Sequence, residues 1–209
     1  LTKEFISDLL PKRLPDFHKG SSGKLMTICG SVGMSGAASL ASMGGLKSGA
    51  GLVTACVPKE LRDNLPGQNG EIITTSPKNC SEYFSEEHAD FIEQLALVSD
   101  AVVVGCGLGV NSQTAKFVKK VSKHINGPLL IDADGLNNLD KENLIERLDI
   151  SIITPHPLEL SRLCGKSVTE IQENRIATVR EISKEWNVVL LLKGAYTVIG
   201  TPDSEIFIN

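Results

Sequence analysis

Five short segments of this 209-residue sequence bring together residue types that can do chemistry, and each follows an apolar run. The first is Gly30-Ser31-Val32-Gly33-Met34-Ser35-Gly36-Ala37-Ala38. Its glycines let backbone N–H groups approach a ligand, and a helix starting there would offer its positive N-terminus to an anion. Tight strand–helix packing is the competing explanation. The spacing is not that of a GxGxxG fingerprint. Gly20-Ser21-Ser22-Gly23-Lys24 is not a Walker loop either, since Leu25 stands where Ser or Thr is needed. The second segment, Gly105-Cys106-Gly107-Leu108-Gly109, carries glycine at alternate positions. One tight turn does not need so many; backbone contact with a ligand competes with a bulged loop at positive φ.

The third segment is Asp132-Ala133-Asp134-Gly135-Leu136-Asn137. Its carboxylates could bind a metal, accept from ribose hydroxyls, or cap the following turn, and Asp132 at the end of a buried strand needs a partner. In Thr154-Pro155-His156-Pro157-Leu158-Glu159, Pro157 suits the first turn of a helix. His156 would then stand at a helix start, as a ligand contact or a structural residue, with Glu159 free to complete a cap. In the fifth, Lys193-Gly194-Ala195-Tyr196-Thr197, a lysine beside a glycine can reach a phosphate; a solvated lysine is the bland alternative. Cys29 and Cys106 also fall near strand ends, but with no histidine beside either they read as small core residues.

Ligands of open α/β sheets bind beyond the carboxyl ends of the strands, so these segments require a parallel sheet behind them. The sequence supplies one. Lys24–Cys29, Leu52–Val57, Ala101–Val104, Pro128–Ile131, Ile150–Ile153 and Val188–Leu192 are continuous apolar runs, as expected of strands buried on both faces. Helical patterns alternate with them. Thr2–Leu10 is amphipathic and should end at Pro11 and Pro15. A thin Ala/Gly helix follows Gly36. Ser112 can cap a helix over Gln113–Ile125. Ser167 and Glu170 form a capping-box pattern ahead of one long helix ending near Trp186. The chain finishes with Thr197–Ile199 and Glu205–Ile208 around Gly200-Thr201-Pro202-Asp203, an antiparallel hairpin. The predicted fold is α/β: a doubly wound, mostly parallel sheet with helices on both faces, in a single domain over residues 1–209.

Composition narrows the function. A net charge of −4 without a basic block argues against a nucleic-acid partner. Five scattered cysteines with no CxxC pair support neither a zinc ribbon nor a disulfide framework, and reduced thiols fit a cytoplasmic protein. No run approaches the ~20 apolar residues of a membrane span, and no signal peptide is expected.

In order along the chain, His18-Lys19-Gly20, Gly30-Ser31 through Gly36-Ala37-Ala38, Leu46-Lys47-Ser48-Gly49-Ala50-Gly51-Leu52-Val53, Gly105 to Gly109, Asp132 to Asn137, Thr154-Pro155-His156 and Leu192-Lys193-Gly194-Ala195 resemble the NAD(P)H-hydrate dehydratase family. The resemblance covers nearly the whole chain. It implies a ribokinase-like fold, a homo-oligomer (often a tetramer), and use of ADP or ATP, with Mg2+, to dehydrate the S form of NADHX or NADPHX. It further implies that Ala37, Gly107, Asn137 and His156 contact the hydrated dinucleotide, and that Lys193, Gly194, Ala195, Tyr196 and Thr197 hold the adenine nucleotide. No side chain of the chain is assigned to a metal.

Two departures from the family pattern stand out. Leu158 replaces a usual glycine, which would alter the loop if positive φ were required. The family's Gly-Gly-Thr-Gly-Asp motif, with its anion hole and catalytic aspartate, does not occur, so the catalytic base is expected beyond Asn209, in a C-terminal portion that this chain lacks. Two alternatives share the fold: a kinase of a sugar or a hydroxymethylpyrimidine, and an inactive nucleotide-binding fragment.

Overall fold

The computed structural model describes residues 1–10, 18, 20–63, 65, 70–147, 149 and 151–209. Pro11, Pro15, Lys19 and Ile150, which entered the expectations above, lie outside the described residues. In chain order the elements are α1 (Lys3–Leu9), β1 (Lys24–Ile28), α2 (Ser35–Lys47), β2 (Leu52–Cys56), α3 (Lys59–Arg62), β3 (Ile72–Thr75), α4 (Ala89–Ala96), β4 (Ala101–Val104) and α5 (Ser112–His124). They continue with β5 (Leu129–Ile131), α6 (Asp134–Asn137), α7 (Lys141–Ile145), β6 (Ser151–Ile153), α8 (Pro157–Cys164), α9 (Val168–Glu173), α10 (Arg175–Glu185), β7 (Val188–Leu192), β8 (Val198–Gly200) and β9 (Ile206–Ile208).

The strands form one sheet in the order β3-β2-β1-β4-β5-β6-β7-β8-β9. Pairing is parallel from β3 to β7 and antiparallel from β7 to β9. The chain winds outward from β1 through β2 and β3, then returns to place β4 on the other side of β1. Right-handed crossovers on opposite sides of β1 put their helices on opposite faces of the sheet. The switch point therefore lies between β1 and β4, and the Gly30 and Gly105 loops leave from its two strands.

Each predicted apolar run contains a strand, but burial on both faces holds only in part. Along β4 to β8 buried and half-buried residues alternate. Val102, Leu129, Ser151 and Val188 share a row by register and are buried, in the layer that holds Phe117, Val121, Ile182 and Trp186. Val103, Leu130, Ile152 and Val189 form the next row and are half-buried. On that second face α2 packs on β1 and β2. Its small residues allow close approach: Thr27 Oγ1 and Ser42 Oγ are 2.8 Å apart, and a side chain at Gly45 would strike Leu25.

Three further expectations change. Asn111, not Ser112, caps α5: its Oδ1 accepts from Gln113 N and Thr114 N at 3.0 Å each, the usual N-cap geometry. The Ser167–Glu170 capping box forms, with Glu170 Oε2 accepting from Ser167 N at 2.7 Å and Ser167 Oγ from Glu170 N at 3.2 Å. The helix it starts does not run unbroken to Trp186, however; Asn174 (φ −129°, ψ 40°) interrupts it, giving α9 and then α10. The hairpin is present one residue later than read, with Val198 opposite Ile208 and Gly200 opposite Ile206. Helix α1, capped by Thr2, buries none of its apolar residues; its Phe5 ring sits 5.5 Å from Phe207 of the hairpin. Neither β3 nor α4 was anticipated. No described helix is long and apolar enough to cross a membrane.

Backbone approaches backbone closely at Gly105, just after β4. Its φ is +131°, and a Cβ there would lie 1.9 Å from Asp132 O. Gly105→Ala should therefore cost roughly 3 kcal/mol or more. Gly127→Ala, at φ +82° with nothing within 4 Å, should cost only the strain of positive φ, about 1 kcal/mol. Urea unfolding of both variants measures the difference; equal losses would contradict the close approach.

Candidate functional site

Because β1, β4, β5, β6 and β7 are parallel, the five chemistry-bearing loops all emerge at one rim. Direct contacts join them there. The Gly30 loop is tied to the Gly105 loop by Gly30 N donating to Cys106 O at 2.8 Å and Ser31 Oγ donating to Gly107 O at 2.8 Å. Gly107 (φ +69°) lies so close to the start of α2 that a Cβ would come within 2.7 Å of Ala37 Cβ. Ala37 and Gly107 thus share one spot at the switch point. Met34 adjoins the same spot, with its Cβ 3.0 Å from where that Gly107 Cβ would lie.

The Gly105 loop is also fixed from the other side. Asp134 Oδ2 accepts from Gly109 N at 2.9 Å, and Asn138 Nδ2 donates to Gly109 O at 2.9 Å. Asp134 therefore anchors the neighbouring loop, beyond the local cap allowed for it from sequence. Asn137 lies in α6, where its Oδ1 accepts from Arg162 at 2.9 Å. Between the two aspartates the chain turns sharply through Ala133, held at φ 50°, ψ −120°. Non-glycine residues persist there only when the surroundings hold them.

Asp132 has the partners its burial demands. Its Oδ1 accepts from Lys193 Nζ at 2.8 Å and from Thr154 Oγ1 at 2.8 Å, while Oδ2 receives the Cys106 thiol at 3.6 Å. Burial alone would raise the carboxyl's pKa. The Lys193 and Thr154 hydrogen bonds and the lysine charge outweigh it, so the group is held below the usual carboxylate range. Cys106 is thus a half-buried neighbour of the carboxylate, whereas Cys29 is fully buried. Contact with Cys106 and burial push the Cys29 thiol well up, which removes it as a thiolate nucleophile.

His156 is the N-cap of α8. Its Nδ1 accepts from Leu158 N and Glu159 N at 3.2 Å each. As an acceptor Nδ1 carries no proton, so the ring N–H is Nε2. That atom lies 3.4 Å from Glu159 Oε1, in a side chain still 46% exposed at the rim. Glu159, only 5% exposed, completes the capping box by accepting from His156 N at 2.7 Å, and its Oε2 lies 3.7 Å from Lys193 Nζ. The capping reading of Glu159 was legible from spacing; its approach to Lys193, 34 positions away in the sequence, was not. Leu158 occupies the first turn of α8 with helical backbone, so the positive φ suspected there is not needed.

Lys193 follows β7, and its N donates to Pro155 O at 2.9 Å, which ties its loop to the His156 loop. Lys193 therefore stands inside the rim, between two carboxylates, rather than free in solvent. Beyond Gly194 and Ala195, Tyr196 adopts φ 58° with its side chain 78% exposed, and Thr197 Oγ1 donates to Gly194 O at 3.2 Å. A 450 Å3 trough beside α2, floored by Leu25, Val103 and Leu130, ends on Cys106 and Asp132.

Among the described residues no three His, Cys, Asp or Glu side chains converge as a metal site. Asp132 and Asp134 are both engaged by donors. The described side chains thus do not form a divalent-ion cage of their own.

Comparison with known proteins identifies the family. A family model described as NAD(P)H-hydrate dehydratase matches residues 25–209. The bifunctional NAD(P)H-hydrate repair enzyme Nnr of Moorella thermoacetica is 38% identical over 213 residues, covering 100% of this chain and 40% of that protein. The ADP-dependent (S)-NAD(P)H-hydrate dehydratase of Neisseria meningitidis is 36% identical over 204 residues, covering 94% of this chain and 64% of that protein. The ADP/ATP-dependent NAD(P)H-hydrate dehydratase of Bacillus subtilis, co-crystallised with ATP/Mg2+, superposes with a TM-score of 0.82 at 28% identity, over 100% of this chain and 71% of that one. A ribokinase-like superfamily protein of Enterococcus faecalis, 20% identical, shares the fold at a TM-score of 0.82. The chain thus spans well under two thirds of the Moorella protein's length. With glycine loops at the switch point, a rim lysine between carboxylates and a matched family model over residues 25–209, this ribokinase-like chain belongs to the NAD(P)H-hydrate dehydratase family.

Proposed function

We propose that the whole protein dehydrates the S form of NADHX and NADPHX to NADH and NADPH, consuming ADP or ATP. The observation that carries this reading is the joining of two subsites at one rim. The spot at Ala37 and Gly107 is connected, through Cys106, Asp132 and Glu159, to Lys193 and to His156.

The chemistry explains why a nucleotide is needed. Hydroxide is a poor leaving group from carbon. Transfer of a phosphoryl group breaks its P–O bond to the nucleotide and forms a phosphate ester on the hydrate oxygen. Cleavage of the ester C–O bond then releases phosphate, a ring proton departs, and the dihydropyridine is restored. In this reading Ala37, Gly107, Asn137 and His156 hold the hydrated dinucleotide. Gly107 and Ala37 add little side-chain bulk to that approach, and His156 presents its exposed edge. Lys193 to Thr197 hold the adenine nucleotide. The Lys193 ammonium, kept in place by Asp132 and Glu159, meets phosphate oxygens as a fixed positive charge, so little reorganisation is required when charge moves. Mg2+ would enter on the nucleotide's phosphates. No residue of this chain is assigned as the base. A homo-oligomer in the cytoplasm is part of the same reading.

Incubation of the whole protein with S-NADHX and either nucleotide should restore the NADH absorbance and release phosphate. Phosphorylation of a sugar or of a hydroxymethylpyrimidine, without recovery of NADH, would reverse the assignment in favour of a kinase. Lys193→Ala should lower kcat/KM about a hundredfold or more, read by the same assay, because a charge acting on the transferring group is lost.

The Asp132 carboxyl has a depressed pKa in the folded protein, so its contribution to stability is present above its unfolded value, about 3.9, and is lost as pH falls through the folded one. Asp132→Asn should therefore be less stable than the parent at neutral pH, and the gap should close on acidification. Urea unfolding across an acid pH series measures this; a gap that does not vary with pH would show that the carboxylate charge is not its source.

A further inference from the structure

Arg175 is the first residue of α10, immediately after the break at Asn174. A helix N-terminus is already positive, so a cation is electrostatically unfavourable there. Side chains on a helix lean toward its N-terminus, so one at the first position leans past the helix end. Arg175 uses that freedom to reach β7. Its NH2 group donates to Leu192 O at 2.9 Å, and its NH1 group donates to Gln172 Oε1 of α9 at 2.8 Å. The same guanidinium closes over Gly194 (φ +153°), where a Cβ would lie 3.1 Å from each terminal nitrogen. Arg175 thus touches the residues on both sides of Lys193. It also lines a 560 Å3 cavity together with Asn174, Arg180, Ala195, Tyr196 and Val198, on the flank of the Lys193–Thr197 loop.

We propose that Arg175 is a positioning residue for the nucleotide loop. It fixes the backbone before and after Lys193, so that the Lys193 ammonium keeps its place beside Asp132 and meets the phosphates of the bound nucleotide. The proposal rests on the reading that residues 193–197 hold the adenine nucleotide. A planar fork is required, because one guanidinium must bond α9 and β7 at once while lying against Gly194. A lysine has a single ammonium and cannot reproduce that span.

The test compares the whole protein with its Arg175→Ala and Arg175→Lys variants. Calorimetry measures the affinity of each for ADP and, separately, for NADH, and a thermal melt without ligand reports the fold. Arg175→Ala should weaken ADP binding roughly tenfold to a hundredfold, the effect of losing charge-assisted hydrogen bonds. NADH affinity and the melting temperature should stay near the parent values, and Arg175→Lys should recover only part of the ADP affinity. Should the alanine variant not fold, the lysine variant carries the test, since it keeps the charge and the aliphatic stem yet must still lose ADP affinity selectively. If the parent binds ADP and the variants bind it equally well, the positioning role is wrong while the nucleotide loop stands. If both ligands are lost together with the melting temperature, Arg175 merely supports the fold and the proposal is overturned. If the parent itself fails to bind ADP, the reading of the loop fails, and this proposal with it.

Discussion

The rim depends on one carboxylate. Asp132 ends β5, yet its oxygens are shared by Thr154 after β6, Lys193 after β7 and Cys106 after β4. Four neighbouring strand ends therefore meet on a single side chain. Replacing it with any apolar residue would leave Lys193, 42% exposed at the rim, without its nearest counter-charge and a threonine hydroxyl without its acceptor. Parallel strands by themselves bring loops to the same edge but do not fix their relative heights. The Asp132 contacts supply that fixing, and Glu159 extends it to His156.

Backbone contact governs the other half of the rim. At the switch point the strands diverge in connection, and the space between the Gly30 and Gly105 loops is narrowed until Gly107 all but touches Ala37. The ties between these loops use main-chain groups and one serine hydroxyl. The charged groups gather instead at the β5–β7 side of the rim, around Asp132, Glu159 and Lys193.

Much of this was legible in the sequence because local chemistry and tertiary structure agree. The apolar runs located six of the seven parallel strands, all but β3 at the sheet edge, since strands inside such a sheet carry little competing signal. The five loops were legible because glycine, Asp-x-Asp and Thr-Pro-His after a strand have few reasons to be there. Other features follow from pairs distant in sequence. Glu159 near Lys193, Asp134 on Gly109 and Arg162 on Asn137 are set by strand order, which periodicity does not reveal. Some errors were local: Asn111 and Ser112 are both good caps, and only the geometry at Gln113 and Thr114 decides between them. The break at Asn174 was hidden because the residues on both sides favour helix. Half-burial of the second sheet face was missed for another reason: a continuous apolar run records what a strand tolerates, not what covers it.

The fold cannot decide between a kinase and a dehydratase, because phosphoryl transfer to a hydroxyl serves both. They differ in the fate of the ester. A kinase must release it intact; a dehydratase must hold it while the C–O bond breaks, a ring proton leaves and a second ring C=C bond forms. Holding demands contacts to the part of the substrate that does not receive phosphate. Here the small residues Ala37 and Gly107 lie at the β1–β4 switch point, while His156 and Lys193 share the Glu159 carboxylate beside β6 and β7. In the proposed reading, contacts at Ala37 and Gly107 would hold the part of the substrate that receives no phosphate, and that is the ground for preferring dehydration.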